Sequence, residues 1–235
     1  MPDFSIRSYE KELLDRDDIP FRDIKRNMQE LEFINSNLGG HRITLDGLKK
    51  MYAGSKNNSL TICEIGCGGG DNLKVIDKWC ERAKIPVHLT GIDINPDCIA
   101  YAKENCQNMP GASFIISDYR HVSFPGTRPD IIFSSLFCHH LGDEQFVEML
   151  RWSKQNSVTG FFINDLHRHF LAYYSIKLLT RLLSKSYLVK NDAPLSVRRG
   201  FKKKELRMLL GKAGITQYTI TWKWAFRWLV LVKNE

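Results

Sequence analysis

No stretch of apolar residues in this 235-residue chain is long enough to span a bilayer, and the opening Met1-Pro-Asp-Phe-Ser-Ile6 lacks the apolar core of a signal peptide. These absences argue against a helical membrane protein and lead us to expect a cytoplasmic location. The six cysteines, Cys63, Cys67, Cys80, Cys98, Cys106 and Cys138, contain no CxxC pair. Reduced structural thiols are therefore expected, with no disulfide framework and no metal site. There is no internal repeat or low-complexity tract, which excludes a repeat architecture. Acidic residues are scarce in one region only: residues 166–235 hold 3 Asp and Glu against 15 Lys and Arg, whereas residues 1–165 hold 23 against 19. The overall charge of +8 is thus concentrated towards the carboxyl end.

What is present begins with composition: at 43% hydrophobic residues the chain can bury a sizeable core as one α/β unit with additions. An apolar run, Leu60-Thr-Ile-Cys63, leads into Glu64-Ile-Gly-Cys-Gly-Gly-Gly70 and a helix-like segment from about Asp71. Strand, glycine turn and helix in that order make a nucleotide-cofactor site, because Gly66, Gly68 and Gly70 permit a tight turn and close approach of backbone to ligand. A second apolar run, Val87 to Ile92, ends at Asp93, where a βαβ unit presents a carboxylate to a ribose diol. Third and fourth strands are read at Phe114-Ile-Ile-Ser-Asp118-Tyr119 and Pro129-Asp-Ile-Ile-Phe-Ser-Ser135, and a fifth at Gly160 to Asn164. Any one of Asp93, Asp118 or Asp130 alone reads as a solvated strand-end acid, the commoner fate of a carboxylate. Their shared phase in successive strand–helix units favours a site. Glu64 bears on its ligand, since a carboxylate beside the glycine turn would repel the pyrophosphate of a dinucleotide.

These motifs resemble those of the class I S-adenosylmethionine (SAM) methyltransferases, over about residues 58–232. The resemblance implies an α/β fold, a Rossmann-like doubly wound seven-stranded sheet with an antiparallel terminal hairpin, and SAM as cofactor. It places Glu64, Gly66, Cys67, Gly68, Gly70 and Asn72 around the amino-acid end of SAM, Asp93 on the ribose hydroxyls with Ile94 beside it, Asp118 and Tyr119 at the adenine, and Ser135 at the end of the fourth strand. The hairpin corresponds to Gln217 to Trp222 with Phe226 to Val232, after a helix over Lys202 to Lys212.

Two additions flank this core. Residues 1–56 form an expected helical cap, with helical periodicity over Tyr9 to Leu14, from Ile24 to Leu38, and again through Leu48 and Met51. Residues 57–235 form the catalytic domain, with a lid insertion at about 166–200. In the lid, Lys177, Arg181 and Lys185 recur every four residues along an amphipathic helix over Phe170 to Ser184. The segments Asn37-x-x-Gly-Gly-His-Arg42, Phe137-x-His-His140, Asp165-Leu-x-Arg168 and Asp192-x-x-x-Ser196-x-x-Arg199 are together similar to a bacterial group of quinone-biosynthesis-like methyltransferases. That group works beside polyketide or aromatic-lipid pathways, so a hydrophobic or aromatic small molecule is the implied acceptor, with oxygen preferred over carbon.

Deprotonating a phenol suits a histidine tuned near neutral pH. A lone histidine is more often structural, but His41, His139, His140 and His167 converge on one strand-end face. His140 is the first choice of base, then His167 and His139, with His41, Arg42, Asp165, Arg168 and Tyr173 on the substrate; Asp165 could instead orient one of the imidazoles, and Arg168 could bind an acidic substrate group or pair with Asp165. The basic carboxyl half leaves an RNA or protein methyltransferase as an alternative. Against it stand the lack of a separate nucleic-acid module and of an Asn-Pro-Pro-Tyr motif after the fourth strand, and nucleic acid is not the favoured partner. A non-catalytic SAM-binding scaffold or sensor is the third class. The basic lid also suggests peripheral contact with an anionic membrane, although a solvated basic face over an ordinary cap is the more economical reading because amphipathic helices usually cover cores.

Overall fold

A computed structural model describes residues 2–16, 18–53 and 59–234. The expected boundary between residues 56 and 57 lies outside the described residues. Helices α1 (Phe21–Asn37) and α2 (Gly40–Tyr52) come first, then an alternation of strand and helix: β1 (Leu60–Ile65), α3 (Asp71–Ala83), β2 (Val87–Asp93), α4 (Pro96–Asn105), β3 (Ala112–Ile116), β4 (Ile131–Ser135), α5 (Asp143–Asn156) and β5 (Gly160–Leu166). After β5 come α6 (Phe170–Leu183), α7 (Tyr187–Arg199) and α8 (Lys203–Lys212), and the chain ends in β6 (Thr219–Lys223) and β7 (Arg227–Lys233). The seven strands form one sheet in the order β3-β2-β1-β4-β5-β7-β6. The first five are parallel and β7 runs antiparallel between β5 and β6. This is the α/β, Rossmann-like sheet with an antiparallel terminal hairpin that the motifs imply.

Both faces of the sheet are covered, which is why its central strands are buried along nearly their whole length and apolar at most positions. Alternate residues along a strand point to opposite faces. Ile132, Phe161, Ile163 and Trp228 therefore join the core under α5 and α8, while Ile131, Phe133, Phe162 and Leu229 join the core under α2 and α3. Phe133 and Phe162 stack at 5.0 Å across β4 and β5. Helix α2 lies so close to them that a Cβ on Gly47 would come within 2.7 Å of the Phe162 ring. Local signals fix the helix starts: Asn95 accepts hydrogen bonds from the Asp97 and Cys98 amides, and Pro96 occupies the first turn of α4.

The strand order reverses between β1 and β4, and the crevice beyond the carboxyl ends of these strands is where open α/β sheets bind ligands. The additions close over that crevice. One expectation fails here: Tyr9 to Leu14 is not helical, and only Leu13–Asp15 forms a short 3-10 turn. Tertiary partners have taken the backbone groups a helix would need. Ser8 N–H donates to the Arg198 carbonyl, and the Leu13 and Leu14 amides donate to the Asp192 carboxylate on α7. The segment is a strap across α7, not a helix.

Candidate active site

A cavity of about 1220 Å³ occupies the crevice, larger than the 300–1,000 Å³ typical of a single-ligand pocket. Its floor is the turn after β1. Gly66 and Gly68 have φ of 69° and 49°, a left-handed conformation in which a side chain is strained. A Cβ on Gly66 would in addition sit 2.4 Å from the Phe137 ring. Glu64 is fully buried at the end of β1 and borders the cavity. Its Oε1 accepts from Asn72 at 3.0 Å, and Oε2 has no partner among the described residues. Burial, reinforced by the charge of Asp71 and opposed by the Asn72 hydrogen bond, pushes the Glu64 carboxyl well above its ordinary pKa. Asn72 is itself held by the Thr44 hydroxyl at 2.9 Å, and Thr44 accepts from Asn164, whose amide also reaches Ser135. A buried polar chain thus fixes Glu64 by joining α2, α3, β4 and β5.

Asp93 stands across the turn from Glu64. Its Oδ2 accepts from the Gly68 amide and its Oδ1 from the Asn95 amide, both at 2.9 Å. Burial raises its pKa against the lowering effect of those two amides. Each oxygen keeps a lone pair for a further donor. Cys67, Ile94, Asp118 and Ser135 also border the cavity. The Asp118 carboxylate is gripped by Arg120, which holds its pKa below the ordinary value and occupies the face expected to meet an adenine amine. Tyr119 borders the cavity, but its ring packs edge-on against Trp152 at 5.4 Å in the core. Gly70 is the N-cap of α3, just behind the lining.

Among the histidines beyond the strand ends the structure makes a division. His139 and His140 lie on a 3-10 turn beyond β4 with ring centroids 4.4 Å apart. His139 Nδ1 bonds Asp165 at 2.8 Å, and its Nε2 is 3.6 Å from Glu12. His140 Nδ1 bonds Asp15 at 3.1 Å, and its Nε2 is 3.7 Å from the other Glu12 oxygen. Burial opposes protonation of His140, but the Asp15 hydrogen bond and the Glu12 charge outweigh it, and the net shift is upward. Asp15 falls to about 2 because the contact with His140 overcomes its partial burial. Asp165 is fully buried, yet the neighbouring His139 keeps it below the ordinary carboxylate range.

Arg199 braces this cluster by donating to the His139 and His140 carbonyls at 3.0 and 2.8 Å, and Arg7 donates to the His139 carbonyl at 3.1 Å. Glu12, His139 and His140 bring three possible metal ligands within 4.8 Å of one another. Arg199 lies 4.0 Å from Glu12, and the Ser196 hydroxyl donates to the same carboxylate at 2.8 Å. Protein groups therefore already serve that carboxylate, and the arrangement suits proton transfer.

Several expected substrate contacts lie elsewhere. His167 does not border the cavity: its ring packs against Trp228 at 4.8 Å, and burial beside His169 and Arg168 lowers its pKa to about 4. Arg168 is sealed by bonds to the Gly200 carbonyl and a two-point pair with Glu205, tying the end of β5 to the start of α8. Asp165 sits behind His139, outside the cavity lining. His41 bonds Asp71 at 2.7 Å at the start of α3, Arg42 is exposed on α2, and Tyr173 packs edge-on against Phe4. None of these three borders the cavity. Sequence reasoning missed Glu12 and Asp15, which lie in an irregular strap without a motif. It also missed Arg227, a buried cavity-lining cation whose Nη2 bonds Asn35 while Nη1 has no partner among the described residues. Burial lowers the Arg227 pKa to about 10.

Residues 62–156 match the family described as a methyltransferase domain. No curated protein sequence matches the chain. Solved structures do. The plantazolicin methyltransferase BpumL with bound SAH aligns at a TM-score of 0.64 and 19% identity, over 91% of this chain and 96% of that one. Magnesium protoporphyrin IX methyltransferase from Synechocystis PCC 6803 with SAH aligns at 0.58 and 14%, over 86% and 88%. A SAM-dependent methyltransferase from Aquifex aeolicus aligns at 0.58 and 16%, over 81% and 88%. The match to a methyltransferase domain over residues 62–156 and the fold shared with solved methyltransferases that hold SAH are what this chain has in common with known proteins.

Proposed function

We propose that the protein transfers the methyl group of SAM to an oxygen of a small, apolar and aromatic acceptor. The observation that carries this reading is one continuous cavity bordered both by Asp93 and the Glu64 carboxyl, whose Oε2 has no partner among the described residues, and by the carboxylate-backed His139–His140 pair. The donor end fits SAM. Glu64 Oε2 is an orphaned buried acceptor suited to an α-ammonium group, the glycine turn leaves room for the backbone to approach, and Arg227 offers a buried cation to a carboxylate. Asp93 would accept ribose hydroxyls. When bound, SAM supplies an electrophilic methyl group on a sulfonium.

The protein's part is to align the acceptor oxygen with that methyl group and to remove its proton. His140 suits the second task because it borders the cavity, with its side chain 22% exposed against 3% for His139. With Nδ1–H donated to Asp15, its Nε2 lone pair is free to take the hydroxyl proton, and Glu12 stabilises the resulting imidazolium. His139 and Asp165 position their neighbour. The cavity is also lined by Leu14, Leu31, Leu179, Val189 and Val197, apolar side chains suited to a ring system. The basic carboxyl half speaks less for RNA than its charge suggests, because Arg168, Arg199 and Arg227 are buried in intramolecular contacts.

The test is incubation with methyl-labelled SAM and a panel of phenols, quinol precursors and short RNAs. The reading expects label on phenolic oxygen, and label on RNA alone would refute it.

A further inference from the structure

Helix α6 faces the wrong way for an ordinary cap. Only Ala172 and Thr180 of its 14 residues are buried, and Ile176 and Leu179 turn to the cavity. On its outer side Phe170, Tyr174, Leu178 and Leu182 recur every four residues and are 46 to 70% exposed, with Leu171 and Leu183 exposed beside them. Single exposed apolar residues are normal on a protein surface, but a contiguous row marks a surface that meets something.

The row does not stop at the helix. Phe170 stacks on His169 at 4.8 Å, His169 stacks on Phe226 at 5.1 Å, and Phe226 meets Trp222 and Trp224 at 6.1 and 6.4 Å. Trp222 and Trp224 are 45% and 67% exposed, and Trp224 and Phe226 also border the cavity. The apolar surface therefore reaches the wall of the proposed acceptor site.

Charge identifies what it meets. Lys177 and Arg181 lie one turn apart on α6 and Lys185 follows just past its end; all three are exposed, α6 contains no acidic residue, and none of the three makes an ion pair among the described residues. Apolar side chains on one side, flanking cations and tryptophans at the margin are the arrangement of a helix lying in a lipid interface. A two-fold pairing of this face with a second copy would bring the same unpaired cations of both copies towards each other, whereas anionic headgroups neutralise them. No helix among the described residues is long and apolar enough to cross a membrane, so the contact uses one side of α6.

We propose that α6 and the β6–β7 turn dock on an anionic lipid surface, with the cavity wall beneath them facing the bilayer. Docking goes beyond the reaction proposed above; delivery of an apolar acceptor from the lipid rests on that reaction.

The experiment is co-sedimentation of the full chain with vesicles of phosphatidylcholine alone and of an equal mixture of phosphatidylcholine and phosphatidylglycerol. Melting temperature, SAM titration and elution volume are measured in parallel. Wild-type protein is expected to bind the mixed vesicles at least tenfold better than the neutral ones. Leu178→Glu/Leu182→Glu should stay in the supernatant with both while melting and binding SAM as wild type. Lys177→Glu/Arg181→Glu/Lys185→Glu should lose roughly a hundredfold in affinity for the mixed vesicles, at about fivefold per cation. If the leucine variant does not fold, the charge-reversed variant decides alone. Wild-type protein remaining in the supernatant, or variants that bind as it does, overturns the proposal. So does a wild-type dimer that the leucine substitutions dissociate without any vesicle binding, which assigns the surface to a second copy. SAM titration is independent of sedimentation, so failure of docking and failure of the proposed reaction are separately visible.

Discussion

The donor end of the cavity and its acceptor end are built in opposite ways. On the proposed donor side Glu64, Gly66, Gly68 and Asp93 stand at the ends of adjacent parallel strands, so strand pairing brings them together, and the Asn72–Thr44–Asn164 chain then holds Glu64 in place. At the acceptor end Glu12, Asp15, His139, Asp165 and Arg199 come from a strap, a 3-10 turn, a strand and a helix far apart in the chain, and side-chain bonds hold them in place. The first site is rigid through the sheet. The second depends on the amino-terminal strap seated on α7, so under the proposed reaction acceptor choice would change there without disturbing the donor side.

That contrast can be broken by substitution, beginning with the largest effect. His140→Ala should lower kcat by about a thousandfold, as expected for loss of a general base, while SAM affinity stays within about twofold. Single-turnover kinetics with a phenolic acceptor beside calorimetric SAM titration checks this, and equal damage to both readouts would mean the two ends are not separable. Asp93→Ala should do the reverse. Under the proposed reading it would remove the acceptor of the ribose hydroxyls, and it leaves the Gly68 and Asn95 amides without their partner, so SAM affinity should drop by about a hundredfold. Its melting temperature shows how much of the loss is structural.

Glu12→Gln probes the strap more finely. Because Glu12 helps to raise the His140 pKa, its neutralisation should move the acid limb of the kcat profile to lower pH. The sign follows from the base needing to be unprotonated: activity falls as pH drops through the His140 pKa, and a lower pKa postpones that fall. We expect a tenfold or smaller loss of kcat at the plateau, and a pH profile that does not move would remove Glu12 from the mechanism. Arg42→Ala should be the smallest effect, with kcat, KM and SAM affinity unchanged, since Arg42 is exposed and outside the cavity. A raised KM there would show that the acceptor extends over α2.

Legibility in the sequence follows the same division. Strand and glycine signals depend on near neighbours, so β1 to β5, the turn at Gly66 to Gly70 and the acid at Asp93 were readable, as were α1, α2, α6, α8 and the hairpin. The strap was misread as a helix because its amide partners, Asp192 and the Arg198 carbonyl, lie on α7 nearly the whole chain away. In the motif Asp165-Leu-x-Arg168 the role of Asp165 in orienting an imidazole is legible, but the partner of Arg168 is not. Asp165 turns to His139, whereas Arg168 turns away to Glu205 and Gly200. His139, His140 and His167 look alike as strand-end histidines, and only the packing of His167 against Trp228 separates it from the cavity.

The sequence by itself determined the parallel sheet, the glycine turn with its flanking acids and the apolar and basic periodicities about α6, because each is set by the spacing of residues close together along the chain. Tertiary structure decided which histidines meet the cavity, which arginine stays available to an anion, and which row of α6 looks outward. Those outcomes depend on which distant side chain satisfies a buried charge first, and on α7 packing beneath α6 so that its apolar row is left facing solvent.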